Sequence, residues 1–371
     1  MPIHVVSPGE SIDSIALLYG VSPSVISYAN QIPTPYRLAV GEALYIPESI
    51  RDDRLQSVRI GGYAYPFISR YVLEQTLPFL NYLYIFSYGF TPDGELVPPR
   101  LDDTWMINLS RTYGTAPVMT LTPSDKNFAF NNNLISAVVN DLNARRTLKN
   151  QIVEAVLENG FEGVDIDFEY IKAEDRDAFV DFVVYIREAV NALGYPVSVA
   201  LAPKTYAGQP GLLYEGKDYR GLGEAADYVL LMTYEWGYKY SAPMAVAPIN
   251  KIRPVLDYAV SEIPPWKIHL GIPNYGYNWP LPYIQGQTAG TTIGNVEAVQ
   301  IAIQNNAVIQ FDETAKSPFF TYPSHEVWFE DVRSMAAKFD LVKEYGLRGM
   351  SYWQIMQLFR ANWLLLTDTF E

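Results

Sequence analysis

The stretch Gly160–Phe179, GFEGVDIDFEYIKAEDRDAF, decides how this chain folds. Asp165, Asp167 and Glu169 fall at every second position, and Val164, Ile166 and Phe168 fill the gaps. Side chains two apart on a strand point the same way, so the acids form one file with neighbours about 6–7 Å apart along the backbone. The apolar residues form the opposite face. In an antiparallel sheet the acidic face could simply meet water.

The surrounding pattern excludes that simple account. Beyond residue 55, short apolar runs alternate with longer amphipathic stretches, the arrangement that yields parallel strands joined by crossover helices. Eight runs read as strands: RIGGYAYPF, YLYIFSYGF, PVMTLTP, GVDIDFEY, VSVALAP, YVLLMTYEW, IHLGIPNYGY and GMSYWQI. Between the fourth and fifth, the stretch Glu174 to Leu193 reads as a helix. Glu174, Asp175 and Asp177 oppose the positive end of its dipole, Phe179, Phe182, Val183, Ile186 and Val190 form its apolar face, and Gly194 ends it. The fold class expected is α/β, a (β/α)₈ barrel with its reactive groups at the C-terminal mouth of the strands. The seventh and eighth strands lie too far apart for one helix, so a small α+β insertion is expected at 279–322, followed by a helix from Glu330 to Tyr345.

Barrel strands are covered outside by helices and packed inside by side chains, so acids on either face carry a desolvation penalty. The bulky Val164, Ile166 and Phe168 are expected to face the helices, and the acids to point inward and climb toward the mouth. Carboxylates buried together raise each other's pKa, which is what a general acid needs near neutral pH. An internal polar plug is the alternative, as is a divalent metal held by the file. The metal is weakened because no further acid-rich or histidine-rich strand end completes an oxygen shell.

Composition narrows the classes. Lys and Arg number 27 against 41 Asp and Glu, a formal net charge of −14, and no basic run tracks phosphates, so nucleic acid is not an expected partner. With no cysteine, disulfides and thiol catalysis are excluded, and His4, His269 and His325 lack ligand spacing. Neither a secretion signal nor an apolar run of about 18 residues appears, so no membrane association is expected. The 28 tyrosines and 7 tryptophans suit the apolar faces and hydroxyl rims of sugar rings, although ordinary packing also uses them.

Residues 4–47 are separately punctuated. Ser11 reads as an N-cap before Ile12, Ile15, Ala16 and Tyr19, with Gly20 as the stop. Ser22 and Pro23 open a second helix whose buried side is expected to be Val25, Ile26 and Ala29, and ALYIP closes the unit. The order is strand, helix, helix, strand. Over GESIDSIALLYGV, VISYAN and LAVGEALYIP this segment resembles a lysin motif, a module that binds N-acetylglucosamine-containing glycans. The expected division is 1–49 for this module and 55–371 for the barrel, joined by a short charged connector.

The line EGVDIDFE resembles the fourth-strand signature of glycoside hydrolase family 18, departing from it at Glu162, where aspartate is usual. LLMTYEWG resembles the family's M-x-Y-D, with Glu235 in place of aspartate, and GMSYWQ resembles the strand whose tryptophan floors the sugar site. The third-strand S-x-G-G of many chitinases is replaced by LTPSDKNF. The resemblance implies that Glu169 is the general acid and then base, that Asp167 orients the substrate acetamido group, and that Asp165 tunes Asp167. It implies Tyr234 as a donor to the acetamido oxygen and Trp353 as the stacking floor. Tyr275, Glu235, Met232, Asn274 and Tyr88 are the further substrate-binding candidates. No cofactor and no metal is implied.

The chain is most similar to the spore cortex-lytic N-acetylglucosaminidases of endospore-forming bacteria. That implies peptidoglycan as the partner and a location in the spore or at the cell wall. Chitin, and a glycan-binding protein without catalysis, stay open, as do endo against exo action and the oligomeric state.

Overall fold

The computed structural model describes residues 3–47, 56–127 and 129–370. The connector expected between the two units lies mostly outside these. Eight parallel strands, Arg59–Ala64, Tyr82–Phe90, Ala116–Leu121, Val164–Ile166, Val197–Leu201, Tyr228–Leu231, Ile268–Pro273 and Gly349–Trp353, make the barrel. It closes because the first strand pairs with both its neighbours, Gly61 opposite Tyr82 on one side and Gly349 opposite Arg59 on the other. The protein is therefore an α/β barrel with helices outside.

Inside, Tyr63, Tyr84, Phe86, Val118, Tyr228 and Leu230 fill the lower part of the cylinder. Gly61 makes room for this layer, since a Cβ there would sit 2.3 Å from the Tyr84 ring. Outside, Val164, Ile166 and Phe168 are fully buried in the core between barrel and helices, and Phe168 stacks on Phe179 and Phe182. Those two residues belong to helix Arg176–Asn191, whose buried face is Phe179, Phe182, Val183, Ile186 and Val190.

The insertion is a five-stranded antiparallel sheet running from Gly276 to Trp328, wider on both sides than the 279–322 expected. The seventh barrel strand stops at Pro273, and Gly276–Pro280 pairs instead with Thr291–Ile293 and His325–Trp328. One face of this sheet packs under helix Asn295–Gln304, and the other turns Tyr275, Tyr277 and Trp279 toward the barrel mouth. The helix that follows is Val332–Glu344, capped by Asp331.

In the N-terminal unit, Ile3–Val5 pairs antiparallel with Ala43–Tyr45. Ser11 and Ser14 form a reciprocal cap, and Gly20 adopts a left-handed conformation at φ 69°. Val6, Ile12, Ile15, Ala16, Ile26, Ile32, Leu44 and Ile46 make its core. Val25 is not part of it. In an eight-residue helix whose inward line runs through Ile26 and Ala29, Val25 lies to one side and is exposed.

The unit is fused to the barrel. Ala29 and Tyr45 join the barrel's own core. The Arg360 backbone N–H donates to Gln31 at 2.7 Å, the Arg360 guanidinium lies 4.1 Å over the Tyr28 ring, and the Tyr45 hydroxyl donates to Asp368. From the insertion, the Ile309 N–H donates to the Val40 carbonyl at 2.9 Å.

Candidate active site

The fourth strand sends its acids inward, as the alternation requires. Asp165 is deepest and fully buried, its carboxylate accepting from the Tyr63 hydroxyl at 2.8 Å and the Ser198 hydroxyl at 2.6 Å. Burial pushes its pKa up to about 6, against the pull of those two hydrogen bonds and of the Lys217 charge. Asp167 follows one step higher, where its N–H still donates to the Leu121 carbonyl at 2.9 Å and so prolongs the ladder to the third strand. Its Oδ1 is buried without a hydrogen-bond partner. Burial, then the charges of Glu169 and Asp165, hold its pKa well above the carboxylate range. Glu169, partly exposed at the mouth, is also raised by burial, with Lys217 opposing. The column therefore holds protons at pH values where isolated carboxylates would have lost them.

Above the column lies a cleft of about 630 Å³, lined by Asp167, Glu169, Met232, Tyr234, Glu235 and Trp353 among the expected residues. Trp353 ends the eighth strand and packs edge-on against Phe86, ring centroids 4.9 Å apart. The walls are mostly aromatic, with Tyr65, Phe130, Tyr170, Tyr214 and Tyr238 around the opening. Past Tyr65, Phe86 and Phe130 the cleft continues into a second groove of about 490 Å³ beside Phe67, Arg100 and Leu101. Among the described residues no cluster of three or more His, Asp or Glu is arranged to hold a metal ion.

Glu235 stands at φ +66°, and its carboxylate accepts from the Tyr277 hydroxyl at 3.0 Å and from the Tyr275 hydroxyl. Tyr275 is thus buried behind Glu235 and does not line the cleft.

Two further expected contacts fail. Asn274 is buried and donates to the carbonyls of Gln354 and Gln357 at 3.2 and 2.9 Å, which ties the end of the seventh strand to the chain beyond Trp353. Tyr88 points away from the cleft, its hydroxyl on Asp103 at 2.9 Å and its ring against Phe161. The cause is a register shift between Phe86 and Tyr88 in the pairing with the third strand. Regular alternation after the inward Tyr84 and Phe86 would have turned Tyr88 inward; the slip reverses it.

Three residues absent from the sequence reading complete the site: Tyr63, Ser198 and Lys217. Tyr63 and Ser198 each had a signal, a polar group at an inward position of an apolar strand. Lys217 comes from the loop after the fifth strand and had none.

Comparison with known proteins agrees with this geometry. Residues 129–357 match the family described as Glycosyl hydrolases family 18, and residues 4–47 match the LysM domain. The cortical fragment-lytic enzyme of Bacillus subtilis (strain 168) is 40% identical, over 100% of this chain and 98% of its own length. Among solved structures, the spore cortex-lytic enzyme SleL of Bacillus megaterium superposes with a TM-score of 0.93 at 33% identity, covering 100% of this chain and 98% of that one. A chitinase of Chromobacterium violaceum shares the fold at TM-score 0.76 and 24% identity, covering 84% of this chain and 99% of that one. An inward D-x-D-x-E column in a closed eight-stranded barrel, matched along the chain in this way, makes the protein a member of glycosyl hydrolases family 18 that carries a LysM domain.

Proposed function

We propose that this glycoside hydrolase acts on peptidoglycan and cleaves the β-1,4 linkage that follows N-acetylglucosamine, with retention, through an oxazolinium intermediate. The observation that carries the reading is the buried, unpartnered Oδ1 of Asp167 between Asp165 and Glu169, at the edge of a cleft floored by Trp353. A carboxyl left without a donor in a dry site is matched by a substrate N–H. The acetamido group of N-acetylglucosamine offers one beside the anomeric carbon.

In this mechanism protonated Glu169 gives its proton to the leaving glycosidic oxygen while the acetamido oxygen attacks the anomeric carbon. Asp167 accepts from the acetamido N–H and carries negative charge as the oxazolinium forms, while Asp165, held by Tyr63 and Ser198, takes up the deeper share of the proton. Glu169, now a carboxylate, removes a proton from the water that opens the ring, and the resting state returns. Tyr234 donates to the acetamido oxygen and Trp353 stacks beneath the sugar. Glu235, held by Tyr275 and Tyr277, borders the same subsite.

Peptidoglycan is favoured as substrate by the attached LysM domain and by relatives named as cortical fragment-lytic and spore cortex-lytic enzymes. The same relatives support a place of action at spore or wall glycan. The test is mass spectrometry of fragments after digestion of spore cortex. New reducing ends on N-acetylglucosamine are expected. Reducing ends on the alternate sugar, or cleavage of chitin oligomers alone, would sink the assignment. An oxazoline-mimicking thiazoline should inhibit, and failure to do so would count against acetamido participation.

A further inference from the structure

The fourth and fifth strands part company just below the reacting groups. Their ladder ends with Ile166 opposite Val199, and above that level the Phe168 and Ala200 carbonyls are bridged by one side chain. The gap is filled by Lys217. The residue is 1% exposed, and its ammonium donates to the Ala200 carbonyl at 2.9 Å and to the Phe168 carbonyl while lying 5.5 Å over the Phe179 ring. The loop that carries it is fitted closely: a Cβ on Gly216 would come within 2.3 Å of the Ile171 carbonyl oxygen. The Lys217 carbonyl is in turn gripped by the Lys204 ammonium at 2.8 Å.

We propose that Lys217 is a positioning residue of this site: it pins the peptide joining Phe168 to Glu169 and supplies, through space, the positive charge that lets the acid column keep one ionised carboxylate. This rests on the reading of residues 165, 167 and 169 as a proton-handling column. Among the described residues Lys217 makes no ion pair with any of the three; its ammonium donates to main-chain oxygens instead. That arrangement serves catalysis, because a carboxylate clasped by an ammonium could neither accept a substrate N–H nor carry a proton to a leaving group.

The field is the remaining link. Burial lowers the Lys217 pKa to about 8, with the charges of Asp167, Glu169 and Asp165 pulling it back up, so the lysine is mainly charged at neutral pH. The same charge lowers the pKa of each acid. Other charged groups nearby are engaged elsewhere. Asp218, next in the chain, meets Arg176 at 2.9 Å, Glu215 accepts from the Gly211 N–H at 3.2 Å, and Lys204 is occupied with the Lys217 carbonyl.

The experiment measures kcat and kcat/KM against pH for the full chain on solubilised cortex glycan, comparing wild type with Lys217→Met and Lys217→Arg. Activity needs Glu169 protonated, which sets the alkaline limb, and one ionised carboxylate, which sets the acid limb. Removing a nearby positive charge raises both pKa values, so both limbs of Lys217→Met should move up by about one pH unit or more. Its kcat at the wild-type optimum should fall about 10- to 100-fold, and Lys217→Arg should bring the limbs back. Should Lys217→Met not accumulate as folded protein, Lys217→Gln keeps a hydrogen-bond donor without the positive charge and reads the same limbs. Folded Met or Gln variants with wild-type limbs overturn the proposal, whatever their kcat, because lost packing alone would not move them. Full activity in Glu169→Gln would instead overturn the underlying reading of the column, and the role of Lys217 with it, whatever the limbs of the lysine variants.

Discussion

Lys338 and Lys217 are both buried beside acids, in different parts of the molecule and with different partners. Under the insertion, Lys338 grips Glu330 at 2.7 Å with both side chains fully buried. At the barrel mouth, Lys217 gives its protons to two carbonyls and leaves three acids unclasped. The first arrangement joins helix Val332–Glu344 to the chain before it. The second keeps charge in a dry place while its carboxyls stay available. Direct pairing makes an acid part of the scaffold; compensation through main-chain oxygens makes it a reagent.

The largest expected effect lies on the unclasped side. Glu169→Gln should lower turnover on cortex fragments about 10²- to 10⁴-fold while leaving glycan affinity, read by calorimetry, nearly intact. Next comes the clasped pair. Lys338→Met strands Glu330 as an uncompensated buried charge and should cost about 3–5 kcal/mol in denaturant unfolding, with the pH limbs of the surviving activity unmoved. Replacing both, as Glu330→Leu with Lys338→Met, should recover most of that loss. A double variant as unstable as the single one would show that the pair is more than a matched set of charges.

Glu42 sharpens the contrast as a buried acid with no ion pair among the described residues. It sits where the LysM domain meets the insertion, 5% exposed, with its carboxyl accepting from the Ala39 N–H at 3.0 Å. Burial raises its pKa to about 7, against that hydrogen bond. An acid raised in the folded state favours folding when protonated. Its contribution is therefore complete below the unfolded pKa of about 4.5 and is lost as pH rises to about 7, a change of roughly 3 kcal/mol. Glu42→Gln should flatten that slope in melting curves between pH 4.5 and 8; an unchanged slope would remove Glu42 as its source. The smallest effect is expected at the surface, where Arg253 meets Glu344 through two bonds of 2.6 and 2.8 Å. Both are well exposed, so Arg253→Ala should change unfolding stability by under about 1 kcal/mol.

Much of this was legible because period-two alternation survives burial. Val164 to Glu169 told which way each side chain turns, whereas Tyr234, Met232 and Trp353 came from the resemblance of their strand ends to family 18. Where alternation slips, the reading slips too. Tyr88 follows a register shift that leaves no mark in composition, so a residue expected in the cleft lies in the outer core. Asn274 is a substrate-binding candidate in the sequence, yet in the fold the chain beyond Trp353 claims its amide. Lys217 is remote in sequence from the acids it serves, and only the folded path of its loop brings it beneath them. Val25 shows the same limit on a small scale, since one apolar residue in a two-turn helix does not reveal which side it takes.

The sharing of Ala29 and Tyr45 between the LysM domain and the barrel core has a thermodynamic consequence. A unit of some 45 residues has too little interior to be robust alone. Borrowing the flank of its larger neighbour should make calorimetric melting one event where two beads on a string would give two. Damage to either half would then register in both, and a variant chosen to loosen the small unit would lower the heat tolerance of the catalytic one.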